Sequence, residues 1–228
     1  MKRVLISWSS GKDCAWALHL LRRQPGIEIV GLLTTVNAQF DRVAMHGTRR
    51  SILELQAEEA GLPLWDIPLP WPCSNQVYEE RMAEACRHAV DERIDAIGFG
   101  DLFLRDIRAY RENQLASTGL EPLFPLWEIP TADLARDMIA GGLRAKIVCV
   151  DSRQLDPSFA GREFDAALLA DLPPSVDPCG ENGEFHSCVY DGPMFSRPIK
   201  LAAGEVVHRD GFIYADFSPS ETSIPVPA

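Results

Sequence analysis

The sequence predicts an α/β fold, in which an open parallel sheet with helices on both faces is followed by a smaller α+β region. Up to residue 128, short apolar runs alternate with helical patterns of roughly 10–18 residues, which is typical of β-α-β crossovers. One of these runs, Ile27–Val36, is almost continuously apolar, as buried parallel strands are. Beyond residue 128 the pattern changes to short helices, turn-rich loops and a hairpin.

Five β-rich runs and four connecting helical segments make up the predicted sheet. Because the strands are parallel, all of their carboxyl ends lie at one edge, where ligands bind in open α/β sheets. The predicted strands are Arg3–Ser7, Ile27–Val36, Leu64–Leu69, Asp95–Gly100 and the brief Pro122–Trp127. The predicted helices are Cys14–Arg23, Thr48–Gly61, Asn75–Arg93 and Phe103–Ser117.

The remaining residues are predicted to form an α+β region that packs against this sheet. We therefore divide the chain into residues 1–128 and residues 129–228. The tail is expected to be poorly ordered because it is short, terminal and rich in proline. The predicted elements are the helices Thr131–Gly141 and Asp165–Asp171, the strand Ala145–Val150, the loops Pro173–Pro178 and Gly180–Gly183, the hairpin Val206–Ala215 and the tail Ser218–Ala228.

Composition excludes some classes of function. The chain has 228 residues, of which 46% are hydrophobic and 24% charged, so it is globular rather than disordered. Its formal net charge of −11 argues against a protein that coats nucleic acid, because such proteins need a basic face. A small anionic ligand is still compatible with that charge, since a single pocket can be positively charged in a protein whose net charge is negative.

No targeting or membrane segment is apparent in the sequence. No apolar run approaches the roughly 18 residues that span a bilayer, and Val4–Trp8 is too short for the core of a signal peptide. The six cysteines are scattered without a C-x-x-C pair. We therefore expect a reduced, cytoplasmic protein without a membrane partner.

A polar loop, Ser9–Cys14, leads from the first predicted strand into the first helix. A helix N-terminus at this edge offers unpaired N–H groups and a partial positive charge, which suit a phosphate. Gly11 allows close backbone approach, Lys12 adds a full charge, and Asp13 can cap the helix or help to hold Mg²⁺. The pattern indicates a phosphate-binding loop. The same residues would also suit a serine-capped helix in which the glycine and the lysine have no binding role.

This loop, SSGKDC, resembles the SGGKDS loop of the N-type ATP pyrophosphatases, the PP-loop superfamily related to the adenine nucleotide alpha-hydrolases. Within that superfamily the chain looks most like the diphthine–ammonia ligase (diphthamide synthase) family. The resemblance implies a Rossmann-like fold of the HUP type, with an ATP-binding part at residues 1–128 and a substrate-binding part at 129–228. The closer match rests on three further segments, Gly100–Leu104 with Asp106–Arg108 behind it, Pro125–Trp127 and Gly180–His186.

The resemblance implies an ATP-dependent ligase that forms a C–N bond. An acceptor carboxylate, on a protein side chain or a small molecule, would attack the α-phosphorus of ATP, which would give an acyl-adenylate and release pyrophosphate. Ammonia would then form the amide, with AMP as the other product. Positioning and charge stabilisation can supply most of the catalysis of such a reaction. ATP, Mg²⁺ and ammonia are the implied ligands, and a homodimer is left open.

The resemblance also implies roles for individual residues. The implied catalytic residues are Lys12, Asp13, Asp101 and Glu184, with Asp13 helping to hold Mg²⁺ through the ATP phosphates. The implied ATP-binding residues are Ser9, Ser10, Gly11, Lys12, Asp13, Cys14, Thr34, His46 and Arg108. The implied acceptor-binding residues are Glu181, Asn182, Gly183, Glu184 and His186.

Several positions depart from the family's usual pattern. Ser10 stands where the family usually has glycine, and Cys14 stands where it usually has serine, which is a stronger hydrogen-bond donor than a thiol. Cys14 at a helix N-terminus could also be a reactive thiolate. His186 replaces an acidic residue of the family's acceptor segment, so the ATP chemistry transfers to this chain better than the acceptor does.

The residues themselves leave other interpretations open. Arg105, Arg108 and Arg111 share a helix face that could bind phosphates, or they could pair with Asp106 and Glu112 in solvent. In the same way His46 could be a local cap, and Glu181 and Glu184 could belong to a polar surface turn. At the level of function, the alternatives are another acceptor, such as a tRNA base or a small-molecule carboxylate, and a non-enzymatic nucleotide sensor.

Overall fold

The computed structural model describes residues 1–43 and 46–220. Its helices are α1 (Lys12–Arg22), α2 (Arg50–Ala60), α3 (Asn75–Asp91), α4 (Arg105–Leu115), α5 (Thr131–Ala140) and α6 (Ala166–Asp171). Its strands are β1 (Lys2–Ser7), β2 (Ile27–Asn37), β3 (Arg42–Val43), β4 (Leu64–Leu69), β5 (Ala96–Gly98), β6 (Glu121–Leu123), β7 (Arg144–Asp151), β8 (Phe185–Asp191), β9 (Leu201–Arg209) and β10 (Phe212–Pro219).

The first sheet is parallel except at one end. Its central strands are neighbours in the order β2-β1-β5-β6, β4 pairs with the other side of β2, and all of these pairs are parallel. The two-residue β3 is antiparallel to the end of β2. The chain order reverses between β1 and β5, so a crevice is expected outside their carboxyl ends. The predicted Rossmann-like α/β architecture is confirmed.

Apolar side chains of β1 alternate between two cores, one on each face of this sheet. Val4 and Ile6 belong to a core that also contains buried residues of α1, α2 and α5. Leu5, between them, belongs to a second core with Met82 of α3 and Leu115 of α4. The helices therefore cover both faces of the sheet, as the crossover pattern predicts.

The second sheet is antiparallel, with the strand order β8-β7-β10-β9. It packs against α2 through a third apolar cluster, in which Ile52 contacts residues of β7, β8 and β10. Asp216 of β10 also accepts hydrogen bonds from Arg42 and Arg49, at 2.8 and 3.1 Å. These contacts fix the second sheet beside the carboxyl edge of the first sheet. The second sheet therefore covers the loop that follows β1.

One strand of the C-terminal region was not predicted, and the prediction for the tail is partly wrong. Phe185–Asp191, to which no element was assigned, forms strand β8, because Phe185, Cys188 and Val189 are buried and the segment pairs with β7. The tail was predicted to be poorly ordered from Ser218 onwards, but Ser218 and Pro219 belong to β10 and pair with β9. The rest of that tail, 221–228, lies outside the described residues. Nowhere in the described residues does a helix combine the length and apolarity that crossing a membrane requires.

Candidate functional site

The first loop, Ser9–Cys14, contains a residue in the left-handed backbone region. Ser10 has φ of +70° and is fully buried, and its hydroxyl donates to Thr48 Oγ1 at 2.8 Å. This conformation costs a residue with a Cβ about 1–2 kcal/mol, which explains why glycine is usual at this position in the family that the loop resembles. The Thr48 contact holds the strained residue in place.

Gln56 of α2 joins the first loop to the second sheet. Its side-chain amide donates to Ser10 O at 3.1 Å and to Val189 O at 2.6 Å, and its Oε1 accepts from Trp8 Nε1 at 2.9 Å. Val189 N in turn donates to Ser10 O at 2.9 Å. Gln56 could not be identified from the sequence, because a glutamine within a helical pattern carries no signal of this role.

Gly100 is a second residue that the sequence analysis did not assign a role. A Cβ at this position would lie 2.7 Å from Cys14 N and 2.8 Å from the carbonyl carbon of Asp13, closer than real Cβ atoms come. The segment that follows β5 therefore contacts the first turn of α1 directly. The glycine preceding the predicted site residue Asp101 could have suggested this close approach.

Lys12 is only 2% exposed and lies between the two halves of the molecule. Its ammonium donates to Asp13 Oδ2 at 2.8 Å and to the carbonyl of Cys179, and it lies over the rings of Phe164 and Phe185. Burial alone would lower its pKa, but the nearby carboxylates outweigh burial and raise it. Lys12 is therefore a buried cation that links the first loop to the second loop, Asp177–Glu184.

Acidic groups surround this cation. Burial, together with the nearby Asp13 and Asp101 carboxylates, raises the pKa of Glu181 to about 7, even though its Oε1 accepts from Leu102 N at 2.8 Å. Burial also raises the pKa of Asp101, against the attraction of Arg111 at 3.7 Å. The predicted catalytic residues Lys12, Asp13 and Asp101 thus lie in one electrostatically coupled cluster with Glu181.

Glu184 has one satisfied and one unsatisfied carboxylate oxygen. Oε1 accepts from Asp177 N at 2.9 Å and from Asn182 Nδ2 at 3.0 Å, whereas Oε2 is buried without a partner among the described residues. The residue is 1% exposed. A buried carboxylate oxygen without a donor costs free energy, so such an atom points to a missing ligand or water.

The two predicted site histidines meet across the boundary between the halves. The rings of His46 and His186 lie 4.5 Å apart between centroids, and His46 Nδ1 is 3.4 Å from Ser187 O. Burial and the nearby Lys12 lower the pKa of His186 to about 4, and burial also lowers the pKa of His46. Both rings are therefore neutral at pH 7. His46 is not a helix cap, since α2 begins after Arg49.

A cavity of about 130 Å³ lies at the carboxyl ends of β1, β2 and β5. Its lining includes Thr34, Arg111 and Gln114, and each of these side chains has a buried polar atom that lacks a hydrogen-bond partner within the described part of the chain: Thr34 Oγ1, Arg111 Nε and Gln114 Nε2. Thr34 was predicted as an ATP-binding residue and Arg111 was one of three arginines offered for phosphate binding, whereas Gln114 was not predicted. Side chains with three such atoms line one cavity, although Arg111 Nε also lies 3.7 Å from Asp101 Oδ2, and this arrangement suits a polar ligand.

The contacts of Arg108 and the pKa of Cys14 bear on the alternative roles of these two residues, an ion pair in solvent for Arg108 and a reactive thiolate for Cys14. Arg108 Nε donates to Glu112 Oε1 at 2.7 Å, and its guanidinium lies over Phe124 and Trp127, 4.8 and 4.7 Å from their ring centroids. This is the ion pair that the sequence analysis weighed against a phosphate contact. Burial raises the pKa of Cys14 to about 11, which argues against a reactive thiolate.

Metal binding by protein side chains alone has no support in the described residues, since they contain no group of three or more histidine, cysteine or acidic side chains placed to hold an ion. Among the predicted site residues, Asp13 is the candidate for holding a Mg²⁺ ion together with the phosphates of ATP. Its Oδ2 pairs with Lys12, while Oδ1 is buried and has no partner in the described part of the chain. One carboxylate oxygen is enough for a Mg²⁺ ion that keeps its other ligands from water and phosphates.

Comparison with known proteins identifies relatives over most of the chain. Residues 130–216 match the family model of the diphthamide synthase C-terminal domain. The chain is 32% identical to a human diphthine–ammonia ligase, over 90% of this chain and 85% of the relative. It is 29% identical to the zebrafish (Danio rerio) diphthine–ammonia ligase, over 91% and 90%. It is 26% identical to the Bos taurus one, over 93% and 88%.

These relatives align along both the parallel sheet and the antiparallel sheet, so the similarity extends to both sides of the site. The chain belongs to the diphthine–ammonia ligase family.

Proposed function

We propose that this protein is an ATP-dependent ligase that converts an acceptor carboxylate to an amide, with ammonia as the nitrogen donor. The acceptor would be activated as an acyl-adenylate, with release of pyrophosphate, and the final products would be the amide and AMP. The relatives are named for diphthine, so diphthine is the first acceptor to test. One observation supports this proposal above others: unsatisfied polar atoms lie both in the cavity after β1 and at Glu184, on the two sides of the first loop.

The cavity that contains Thr34 suits the nucleoside part of ATP. Adenine and ribose present both hydrogen-bond donors and acceptors, which match the hydroxyl of Thr34, the amide N–H of Gln114 and the guanidinium of Arg111. Ser7, Trp8 and Ser9 also line the cavity, so it opens next to the first loop. A nucleotide held there would have its phosphates beside the N-terminus of α1.

Lys12 and Asp13 suit the departing pyrophosphate. An ammonium group has three N–H donors, and Lys12 uses two of them on Asp13 and Cys179, which leaves one for a phosphate oxygen. Asp13 Oδ1 would hold Mg²⁺, which would neutralise negative charge on the phosphates. Arg108 stays a predicted phosphate ligand, and it would have to leave Glu112 to act as one.

The second loop suits ammonia and the acceptor. Glu184 Oε2 is available to accept a hydrogen bond from an ammonium ion or to take a proton from it, and Asn182 holds the other oxygen in place. Glu181, Gly183 and His186 lie in or next to the same loop and would line the acceptor pocket. Since His186 is uncharged at neutral pH, it would contribute hydrogen bonding rather than charge to this pocket.

The product pattern tests the proposal. The protein would be incubated with ATP, Mg²⁺, ammonium and an elongation factor 2 that carries diphthine, and the nucleotides would be separated by chromatography. We expect AMP and pyrophosphate in amounts equal to the amide formed. ADP and phosphate as products would contradict cleavage between the α and β phosphates. Turnover with tRNA or a small carboxylate, but not with diphthine, would keep the ligase chemistry and replace the acceptor.

Thr34→Val tests the nucleoside cavity. We expect the KM for ATP to rise about fivefold or more, because the variant removes a hydrogen bond worth roughly 1 kcal/mol. The melting temperature should stay the same or rise, because the change also removes a buried hydroxyl that lacks a partner in the described protein. Thr118→Val, at the far end of α4, is the matched control and should leave KM unchanged. An unchanged KM in Thr34→Val would exclude this hydroxyl from ATP binding.

A further inference from the structure

Strand β9 forms an exposed edge of the second sheet. It is nine residues long, from Leu201 to Arg209, and within the described residues its only strand partner is β10. The opposite edge strand, β8, is not free in this way, because Val189 N donates to Ser10 O and Ile199 N donates to Tyr190 O. A row of backbone N–H and C=O groups along β9 is therefore available to another strand.

This edge lacks two of the features that usually prevent strand pairing, although its own pairing with β10 is irregular between Ala203 and Val206. β9 contains neither proline nor lysine, which commonly protect edge strands. Two β-branched apolar residues near its centre are exposed, Val206 by 56% and Val207 by 39%. Exposed valines on a free strand favour association with an apolar, β-forming partner.

The charges on β9 are complementary to those on a second copy of the same strand. Glu205 and Arg209 lie two residues before and two residues after Val207, and neither forms an ion pair with another residue that the structure describes. In an antiparallel pair centred on Val207, Glu205 of each copy would therefore lie opposite Arg209 of the other. Opposite charges on facing positions stabilise strand pairing, and like charges oppose it.

We propose that two copies of the protein associate through β9, antiparallel and with the two-fold axis at Val207. The two four-stranded sheets then form one eight-stranded sheet across the dimer. Val207 faces its own counterpart, and Val206 faces His208 of the other copy. The interface is self-complementary, as a two-fold dimer requires.

Charge exchange tests both the surface and its register. Sedimentation equilibrium should show a dimer for the unchanged protein at micromolar concentration, weakened by high salt. Glu205→Arg places two arginines opposite each other and Arg209→Glu places two glutamates opposite each other, so each single variant should raise the dimer dissociation constant at least tenfold. The double variant Glu205→Arg with Arg209→Glu restores the opposite charges and should restore the dimer.

Three outcomes would overturn the proposal. The first is a monomeric unchanged protein over the whole concentration range. The second is a dimer that neither single variant weakens, which would place the interface elsewhere. The third is a double variant that stays as weak as the singles, which would exclude the Val207-centred register. Circular dichroism and thermal melting of each variant confirm that the fold is retained, since both positions lie on an exposed strand.

Discussion

Replacing Lys12 by methionine is expected to lower kcat/KM for ATP by about 10²–10³-fold, the usual cost of losing one preorganised donor to a developing negative charge. The ammonium is buried beside Asp13, and the raised pKa keeps it charged at neutral pH. Methionine has a similar length and fills the space between Phe164 and Phe185, but it cannot bind a phosphate. Steady-state kinetics measure the loss of turnover, and calorimetric titration with a non-hydrolysable ATP analogue measures the loss of binding.

Lys2→Met is the matched control, because Lys2 stands at the opposite end of β1 in an exposed ion pair with Glu121. That variant should retain ATP binding and turnover. Since Lys12→Met also leaves Asp13 without its partner, a melting curve must show that the variant is folded. Lys12→Arg keeps the charge in a bulkier group and provides a second test if the methionine variant is unstable. Full ATP affinity in a folded Lys12→Met protein would contradict the assignment of the first loop.

The sequence was sufficient to predict the first sheet and the position of the first loop. Alternation of apolar runs with helical patterns is a local property, and it survives in the structure because both faces of the sheet are covered by helices. The predicted strand Ile27–Val36 differs by one residue from the observed Ile27–Asn37. The predicted start of the first helix at Cys14 is two residues late, since α1 begins at Lys12.

Contacts between distant parts of the chain could not be predicted in this way. Gln56 lies 46 residues from Ser10 and 133 from Val189 along the chain, and nothing in the local pattern of α2 indicates that its amide joins them. The same holds for Gln114, which a helical pattern presents as an ordinary polar residue, and for the place of Arg111 beside this cavity, since the helix face indicated only phosphates or ion pairs in solvent. Both residues line a cavity and carry a buried polar atom without a hydrogen-bond partner in the described residues, which is a property of the tertiary structure only.

Strand β8 shows how a local signal can mislead. The segment before it is rich in proline and glycine, and this composition predicted loops and no strand between Val150 and Val206. In the structure the strand begins directly at Phe185, and pairing with β7 supplies its backbone hydrogen bonds. Glu184 consequently lies directly before a strand and His186 lies within it, so pairing with β7 fixes the backbone position of these two predicted acceptor residues.

Glu184→Gln is expected to separate the two halves of the reaction. Glutamine keeps an oxygen for the N–H groups of Asp177 and Asn182, so the second loop should retain its shape. It places an NH₂ group where Oε2 now lies unsatisfied, so a site that can accept a hydrogen bond or a proton becomes one that can only donate. We expect amide formation to fall about 100-fold, as for the loss of a general base.

The first half-reaction should persist in this variant, because Glu184 lies in the second loop and does not line the cavity that we propose for the nucleoside. Acceptor-dependent exchange of labelled pyrophosphate into ATP measures that step and should stay within about twofold of the unchanged protein, well below the effect of one lost hydrogen bond. Glu163→Gln, which changes a half-buried carboxylate paired with Lys146, is the control and should affect neither step. If exchange and amide formation fell equally, Glu184 would act in adenylation, and if neither changed, its unsatisfied oxygen would have no part in the chemistry.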